Sequence, residues 1–373
     1  MKSILGRRLR ARVMDRRFRG LSAAGMALTC DSSAACESLR VSVMEERSFA
    51  RLGRQVSVVG LGTWQLGADW GDVGEGTALE VLAASVDSGV NFFDTADVYG
   101  DGRSERLIGR FLHEERPDLA ERVFVATKMG RRAEQRPEMF TLDNFRRWND
   151  RSRENLRVDR LDLVQLHCPP TPVFTMQSVY DALDTVVEEG RIAGYGVSVE
   201  TCAEALAAME RPNVASVQII LNAFRLKPLD EVLPVAAERG VAIIARVPLA
   251  SGLLSGRFTT DTTFAQTDHR AYNRSGAAFD VGETFSGVDY ETGVKAAQEF
   301  AALLPEGVTP AQGALRWVID QPGVTTVIPG ASKVYQARAN AAAASLAPLS
   351  AEVLRGVREL YDRELRREVH HRW

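Results

Sequence analysis

The chain is poor in the residues from which metal centres and disulfide scaffolds are built. Four cysteines (Cys30, Cys36, Cys168, Cys202) and five histidines are spread over 373 residues. The cysteines have neither metal-ligand spacing nor the density of a disulfide framework. No H-x-H or H-E-x-x-H occurs, and His370 and His371 lie at the far end of the sequence, which disfavours a metal-dependent isomerase or hydrolase. No uncharged apolar run approaches the ~20 residues of a membrane helix. No G-x-G-x-x-G follows the first strand-like run, where Gly60-Leu61-Gly62-Thr63-Trp64 has the wrong spacing for that fingerprint. Net positive charge is also lacking. The net charge is −3, yet residues 1–43 hold nine Lys/Arg against three acids, leaving −9 on the remaining 330. Such a balance disfavours nucleic-acid backbone as a partner. The expected setting is a reducing cytoplasm, with neither membrane nor nucleic acid as partner.

What is present is ordinary globular material, 45% hydrophobic and 25% charged. Residues 1–43 stand apart: arginines cluster early, small and polar residues follow, and apolar periodicity is weak. A signal peptide would use Arg16-Arg17 and the short stretch from Gly20 to Thr29, but no clean small-x-small site follows. The preferred reading is a basic, disordered extension or a start assigned too far upstream, with Met44 as the natural one. Residues 44–373 are expected to form one domain.

From Phe49 the pattern alternates. Strand-length apolar runs recur at Ser57–Gly62, Asn91–Asp94, Val123–Thr127, Leu161–Leu166, Gly194–Val199, Ser216–Leu221, Val241–Val247 and Thr325–Pro329. Segments of helical spacing separate them: Thr77–Val86, Glu105–Leu112, Asp143–Leu156, Ser178–Glu188, Cys202–Met209, Leu229–Glu238, Glu291–Leu303 and, as an extra, Thr309–Asp320. Eight strands with crossover helices predict an α/β fold with a parallel sheet. The span suits a closed (β/α)8 TIM barrel better than an open doubly wound sheet. Phe49–Val56 reads as a hairpin covering the barrel's N-terminal end. Ser251–Tyr290, after the seventh strand, reads as a long lid or binding loop. Ala351–Arg372 reads as a terminal helix with an apolar stripe.

In such a barrel the C-terminal strand ends carry the chemistry. Here the second ends in Asp94-Thr95-Ala96-Asp97-Val98-Tyr99, the third in Lys128 and the fourth in His167-Cys168. A phenol is a poor acid at neutral pH unless a cation stabilises its anion, and a carboxylate behind that cation keeps it charged. An imidazole alongside can orient a carbonyl or relay a proton. Singly, each has a bland explanation as a cap, a wall or a snorkelling chain. On successive strand ends they read as one proton-transfer set. Cys168, in apolar surroundings, reads as an inert wall rather than a nucleophile.

These residues make the chain similar to the aldo-keto reductase family over Phe49–Ala344. The resemblance rests on Gly60-Leu61-Gly62-Thr63-Trp64, on Phe93-Asp94-Thr95-Ala96-Asp97-Val98-Tyr99-Gly100 with Ser104-Glu105, and on Lys128. Gln165-Leu166-His167, Gly196-Val197-Ser198, Val217-Gln218 with Asn222, and Ile328-Pro329-Gly330-Ala331-Ser332 then follow in family order. It implies an oxidoreductase in which Tyr99 donates the proton, Lys128 and Asp94 tune it and His167 orients the carbonyl. It also implies NADP (NADPH) as cofactor, with NAD possible, and a small-molecule aldehyde, ketone or sugar as substrate. By the same resemblance Ser198 and Gln218 hold the carboxamide; Gly62 and Thr63 border the cofactor. Pro248, Leu249, Ser251, Gly252 and Leu254 follow the pyrophosphate, and Gly330, Ser332, Lys333, Gln336 and Asn340 grip the adenosine end. Trp64 and Trp70 shape the substrate pocket. Two positions depart from many members: Val199 replaces an Asn, and Arg246 replaces a Tyr that stacks on the nicotinamide; Gln336 stands where some relatives place an Arg near the 2′-phosphate. A guanidinium plane can also stack on an aromatic ring. Alternatives are a sugar or alcohol dehydrogenase working oxidatively and a cofactor-binding regulatory subunit with little turnover. Oligomeric state is not legible.

Overall fold

The computed structural model describes residues 44–67 and 73–373. The sequence readings for residues 1–43, and for Trp70, fall outside that range. Eight strands form one sheet: β1 (Leu61–Gly62), β2 (Phe92–Asp94), β3 (Phe124–Met129), β4 (Leu163–His167), β5 (Tyr195–Ser198), β6 (Val214–Ile220), β7 (Ala242–Arg246) and β8 (Val324–Val327). Every neighbouring pair from β1 to β8 is parallel. Parallel bridges Val59–Val327 and Gly62–Gly330, with Gly60 N–H donating to Val327 O at 2.8 Å, join the first strand to the last. The sheet therefore closes into the expected barrel. Closure is tight: a Cβ on Gly62 would lie 2.9 Å from Ile328 O, so glycine lets the two backbones meet.

Strands β2 to β8 are buried along their whole length, as strands covered on both faces must be. Helices cover the outside: α1 (Glu75–Asp87), α2 (Arg103–Arg110), α3 (Leu142–Leu156), α4 (Gln177–Glu188), α5 (Cys202–Met209), α6 (Leu233–Arg239), α7 (Tyr290–Leu303), α8 (Pro310–Ile319) and α9 (Val334–Ala342). Local chemistry sets several starts. Thr201 and Glu204 make a reciprocal capping box on α5, and Thr309 caps α8 with Pro310 in its first turn. A hairpin of Glu46–Phe49 and Arg54–Ser57 seals the N-terminal end, turning at Gly53 with φ +62°. Phe49 packs on Phe124 at 5.4 Å and Phe92 at 6.5 Å between ring centroids, filling the barrel's lower interior.

Some boundaries differ from the sequence reading. The hairpin begins at Glu46, because its first strand is largely exposed and carries no alternating apolar signal. The barrel's first strand shrinks to Leu61–Gly62, since Arg54–Ser57 is committed to the hairpin. The helix expected over Leu229–Glu238 is broken into Lys227–Glu231 and α6, with Pro234 near the second start. The terminal helix is interrupted by a π turn at Tyr361–Leu365. The Ser251–Tyr290 segment is irregular, as expected, but has its own small core: Phe258, Phe264, Phe285 and Tyr290 pack at 5.1–5.8 Å between successive rings.

Candidate active site

Parallel register sets the site. Gly62 pairs with Asp94, Lys128 with Gln165, His167 with Ser198 and Ser198 with Gln218, so side chains from five strands reach one rim. Asp94 and Lys128 are nearly inaccessible, at 3% and 1% exposure. Lys128 Nζ donates to Asp94 Oδ2 at 2.5 Å, to Thr95 O at 2.9 Å and to Tyr99 Oη at 3.2 Å. Burial alone would lower the ammonium's pKa, but the Asp94 carboxylate and the Tyr99 phenol outweigh it and hold it above the ordinary lysine value. For Tyr99 the balance goes the other way. Burial raises its pKa, with Lys128 only partly offsetting, so the phenol is protonated at neutral pH.

His167 sits edge-on to Tyr99, ring centroids 5.9 Å apart. Burial, then the charges of Arg131, Lys128 and Arg246, push its pKa well below the usual histidine range, leaving a neutral imidazole. Trp64 stacks on Tyr99 at 6.0 Å, with Phe279 edge-on to Trp64 at 5.9 Å. Asp94, Tyr99 and His167 face a cavity of about 950 Å³, at the upper end of small-molecule sites.

Most of the remaining residues singled out in the sequence line that cavity: Gly62, Thr63, Trp64, Ser198, Gln218, Arg246, Pro248, Leu249, Ser251, Gly252, Gly330, Ser332, Gln336 and Asn340 all do. Two expected cofactor contacts are not among its lining residues. Leu254 is fully buried in the apolar core, and Lys333 is exposed at the start of α9. Other side chains are already engaged. Gln218 Nε2 donates to Asp94 Oδ1 at 2.7 Å. Gln336 Oε1 accepts from Ser332 N at 2.9 Å and Ser332 Oγ at 3.1 Å, while Asn340 Nδ2 donates to Gly330 O at 3.2 Å.

Sequence reasoning missed the charges that the loops bring in. Arg246 is clamped between Glu283 Oε1 at 2.6 Å and Glu200 Oε2 at 3.0 Å, and donates to Val199 O at 2.8 Å. Glu283 comes from the long segment after β7, and Arg131 from the turn after β3. Arg257 Nη1 donates to Tyr335 Oη at 3.4 Å, and both line the end of the cavity near α9. A basic residue at a fixed offset from a strand end was the only available signal, and the sequence is too rich in arginine for that to select. Cys168 accords with its inert reading: burial drives its thiol pKa upward. Among the described residues Cys168, Glu200 and Glu283 are the group compact enough for a metal, but the Arg246 guanidinium already bridges the two carboxylates.

No helix among the described residues is long and apolar enough to cross a membrane. The chain is similar to an uncharacterized oxidoreductase of Mycobacterium tuberculosis, 33% identical over 300 residues covering 78% of this chain and 85% of that protein. Among solved structures, it is similar to the glycerol dehydrogenase AKR11B4 from Gluconobacter oxydans, with a TM-score of 0.70, 28% identity and coverage of 86% and 96%. An aldo-keto reductase from Klebsiella pneumoniae in complex with NADPH has a TM-score of 0.62, 25% identity and coverage of 86% and 95%. The family model described as Aldo/keto reductase family matches residues 58–362, and with this barrel and this rim of side chains the chain belongs to that family of oxidoreductases.

Proposed function

We propose that the protein is an NADP(H)-dependent reductase of aldehydes, ketones or sugars in which Tyr99 protonates the carbonyl oxygen. One observation carries this reading: a buried Asp94–Lys128–Tyr99 hydrogen-bonded chain ends at the wall of a large cavity beside a neutral His167.

The cavity suits an extended dinucleotide. Its wall runs from Tyr99 and His167, past Pro248, Ser251 and Gly252, to Gly330, Ser332 and Asn340. Glycines at Gly62, Gly252 and Gly330 leave backbone open to a close ligand, and the N-terminus of α9 favours an anionic group. Ser198 and Arg246 would border the nicotinamide, and Arg257 with Ser332 would meet the adenosine phosphate. When bound, the nicotinamide supplies hydride to the carbonyl carbon. The chain's own residues handle the proton. Tyr99 gives its phenolic hydrogen to the oxygen as negative charge develops there, and Lys128 steadies the phenolate left behind. Asp94 keeps Lys128 charged and aimed. Neutral His167 can donate a hydrogen bond to the same oxygen without competing as an acid. Trp64 and Phe279 exclude water from the reacting end.

The same constellation serves oxidation of an alcohol, with the proton moving back to Tyr99, and the likeness to a glycerol dehydrogenase supports keeping that direction open. The test is Tyr99→Phe, measured as single turnovers with saturating NADPH. Phe fills the same space without the acid, so the rate should fall about 10²- to 10⁴-fold while cofactor affinity stays near wild type. Retention of more than about a tenth of the rate would sink the proton-donor role.

A further inference from the structure

We infer that Arg131 is an anion anchor for the substrate, and that the preferred substrates are carbonyl compounds bearing a carboxylate or phosphate. This rests on the reductase reading above and narrows its substrate class.

The argument starts from how the charges around the cavity are paired. Arg246 is satisfied: two carboxylates lie within 3.0 Å, and a backbone carbonyl accepts a further bond. Arg131 is not. Its one ion-pair contact among the described residues is Glu283 Oε1 at 4.0 Å, an oxygen that already lies 2.6 Å from Arg246. An arginine carries five donors in a planar fork suited to carboxylate or phosphate. Here that fork has no close acceptor among the described residues, yet the residue is held in the cavity wall with its side chain only 26% exposed.

Its position is at the substrate end. Arg131 follows Lys128 by three residues at the exit of β3, and its guanidinium lies 5.8 Å from the centroid of Phe279, the ring that packs on Trp64. After burial itself, the Arg131 charge is the strongest influence on His167. Trp64, Tyr99, His167, Phe279 and Arg131 thus surround the same end of the cavity. An anionic group on the substrate would supply the missing acceptor and set the carbonyl's distance from Tyr99. Glu283 limits the anchor, because any anion must approach from the side that the carboxylate leaves open. That favours a fixed spacing between anion and carbonyl over a general attraction.

The test uses the full chain, saturating NADPH and two matched pairs of aldehydes: 4-formylbenzoate against 4-formylbenzamide, and glyceraldehyde 3-phosphate against glyceraldehyde. The first pair reports on carboxylate and the second on phosphate. In at least one pair the charged member should have a kcat/KM higher by about tenfold or more, the size of one charge-assisted hydrogen bond. The preference should appear mainly in KM. Arg131→Met should bring that ratio to about parity, whereas Arg131→Lys, which keeps the charge but not the fork, should keep part of it. The inference is overturned if neither pair shows a preference in the wild-type protein, a comparison that needs no variant. It is also overturned if the preference survives Arg131→Met. Failure to reduce all four aldehydes would instead remove the reductase reading, and the inference with it.

Discussion

Gln218 donates a 2.7 Å hydrogen bond to Asp94 Oδ1, the oxygen that Lys128 does not use. Gln165 Nε2 lies 3.4 Å from the same oxygen, so β4 and β6 both hold a carboxylate that sits on β2. A buried charge is tolerated only when its acceptors are met. Gln218, expected to grip the cofactor's carboxamide, lines the cavity and also serves the carboxylate paired with Lys128.

Gln218→Leu should therefore cost stability as well as cofactor binding. Removing a hydrogen bond to a buried carboxylate costs about 1–3 kcal/mol. Thermal unfolding without cofactor is the measurement. An unchanged midpoint would mean that the Gln218–Asp94 contact carries no weight.

Lys128→Met should slow the chemical step by acting through Tyr99. Without the ammonium the phenolate is unsupported, and burial, which already raises the phenol's pKa, acts unopposed. Because both residues serve one proton transfer, Lys128→Met combined with Tyr99→Phe should be far less than multiplicative in single-turnover rate. Multiplicative losses would show that Lys128 acts elsewhere.

Acid should destabilise the fold in a defined window. Burial depresses the pKa of His269 to about 4, and that of His167 also lies well below the ordinary value. Below about pH 6.5 the unfolded histidines take up protons that the folded ones refuse. Stability is thus full above that pH and falls as the pH drops, by up to about 1.4 kcal/mol per unit per histidine. For His269 the loss levels off near pH 4, where the folded state also titrates. His269→Phe keeps a ring against Trp64 and should flatten the dependence of the unfolding midpoint between pH 7 and pH 5. An equally steep profile in that variant would contradict the assignment.

NADP(H) should bind more tightly than NAD(H), by about tenfold or more. Ser332 and Arg257 supply the donors, but Gln336 already occupies both Ser332 donors and must yield to a phosphate. Titration by quenching of protein fluorescence measures both affinities. Equal or tighter binding of NAD(H) removes the phosphate assignment.

A chain starting at Met44 should keep its thermal midpoint and turnover. The hairpin that seals the barrel begins only at Glu46. A large loss in either quantity would show that residues 1–43 contribute to the fold.

The amino-acid order alone pointed to the architecture and to the candidate proton-transfer residues. Eight apolar runs separated by helical spacing can bury themselves only as a parallel sheet wrapped in helices, and in a barrel of that kind every strand exit faces one end. Asp94, Lys128 and His167 were legible because each lies at or next to the end of a strand, and Tyr99 because it follows shortly after Asp94. The tertiary structure decided everything that depends on loops meeting across that rim. Leu254 turned into the core and Lys333 into solvent, since neighbours in sequence on a turn point in different directions. Glu200 and Glu283 closed on Arg246 from two different loops, leaving Arg131 without a close partner among the described residues. Charge pairing of this kind follows from distances of a few ångströms between segments far apart in the chain, and local sequence patterns carry no record of such distances.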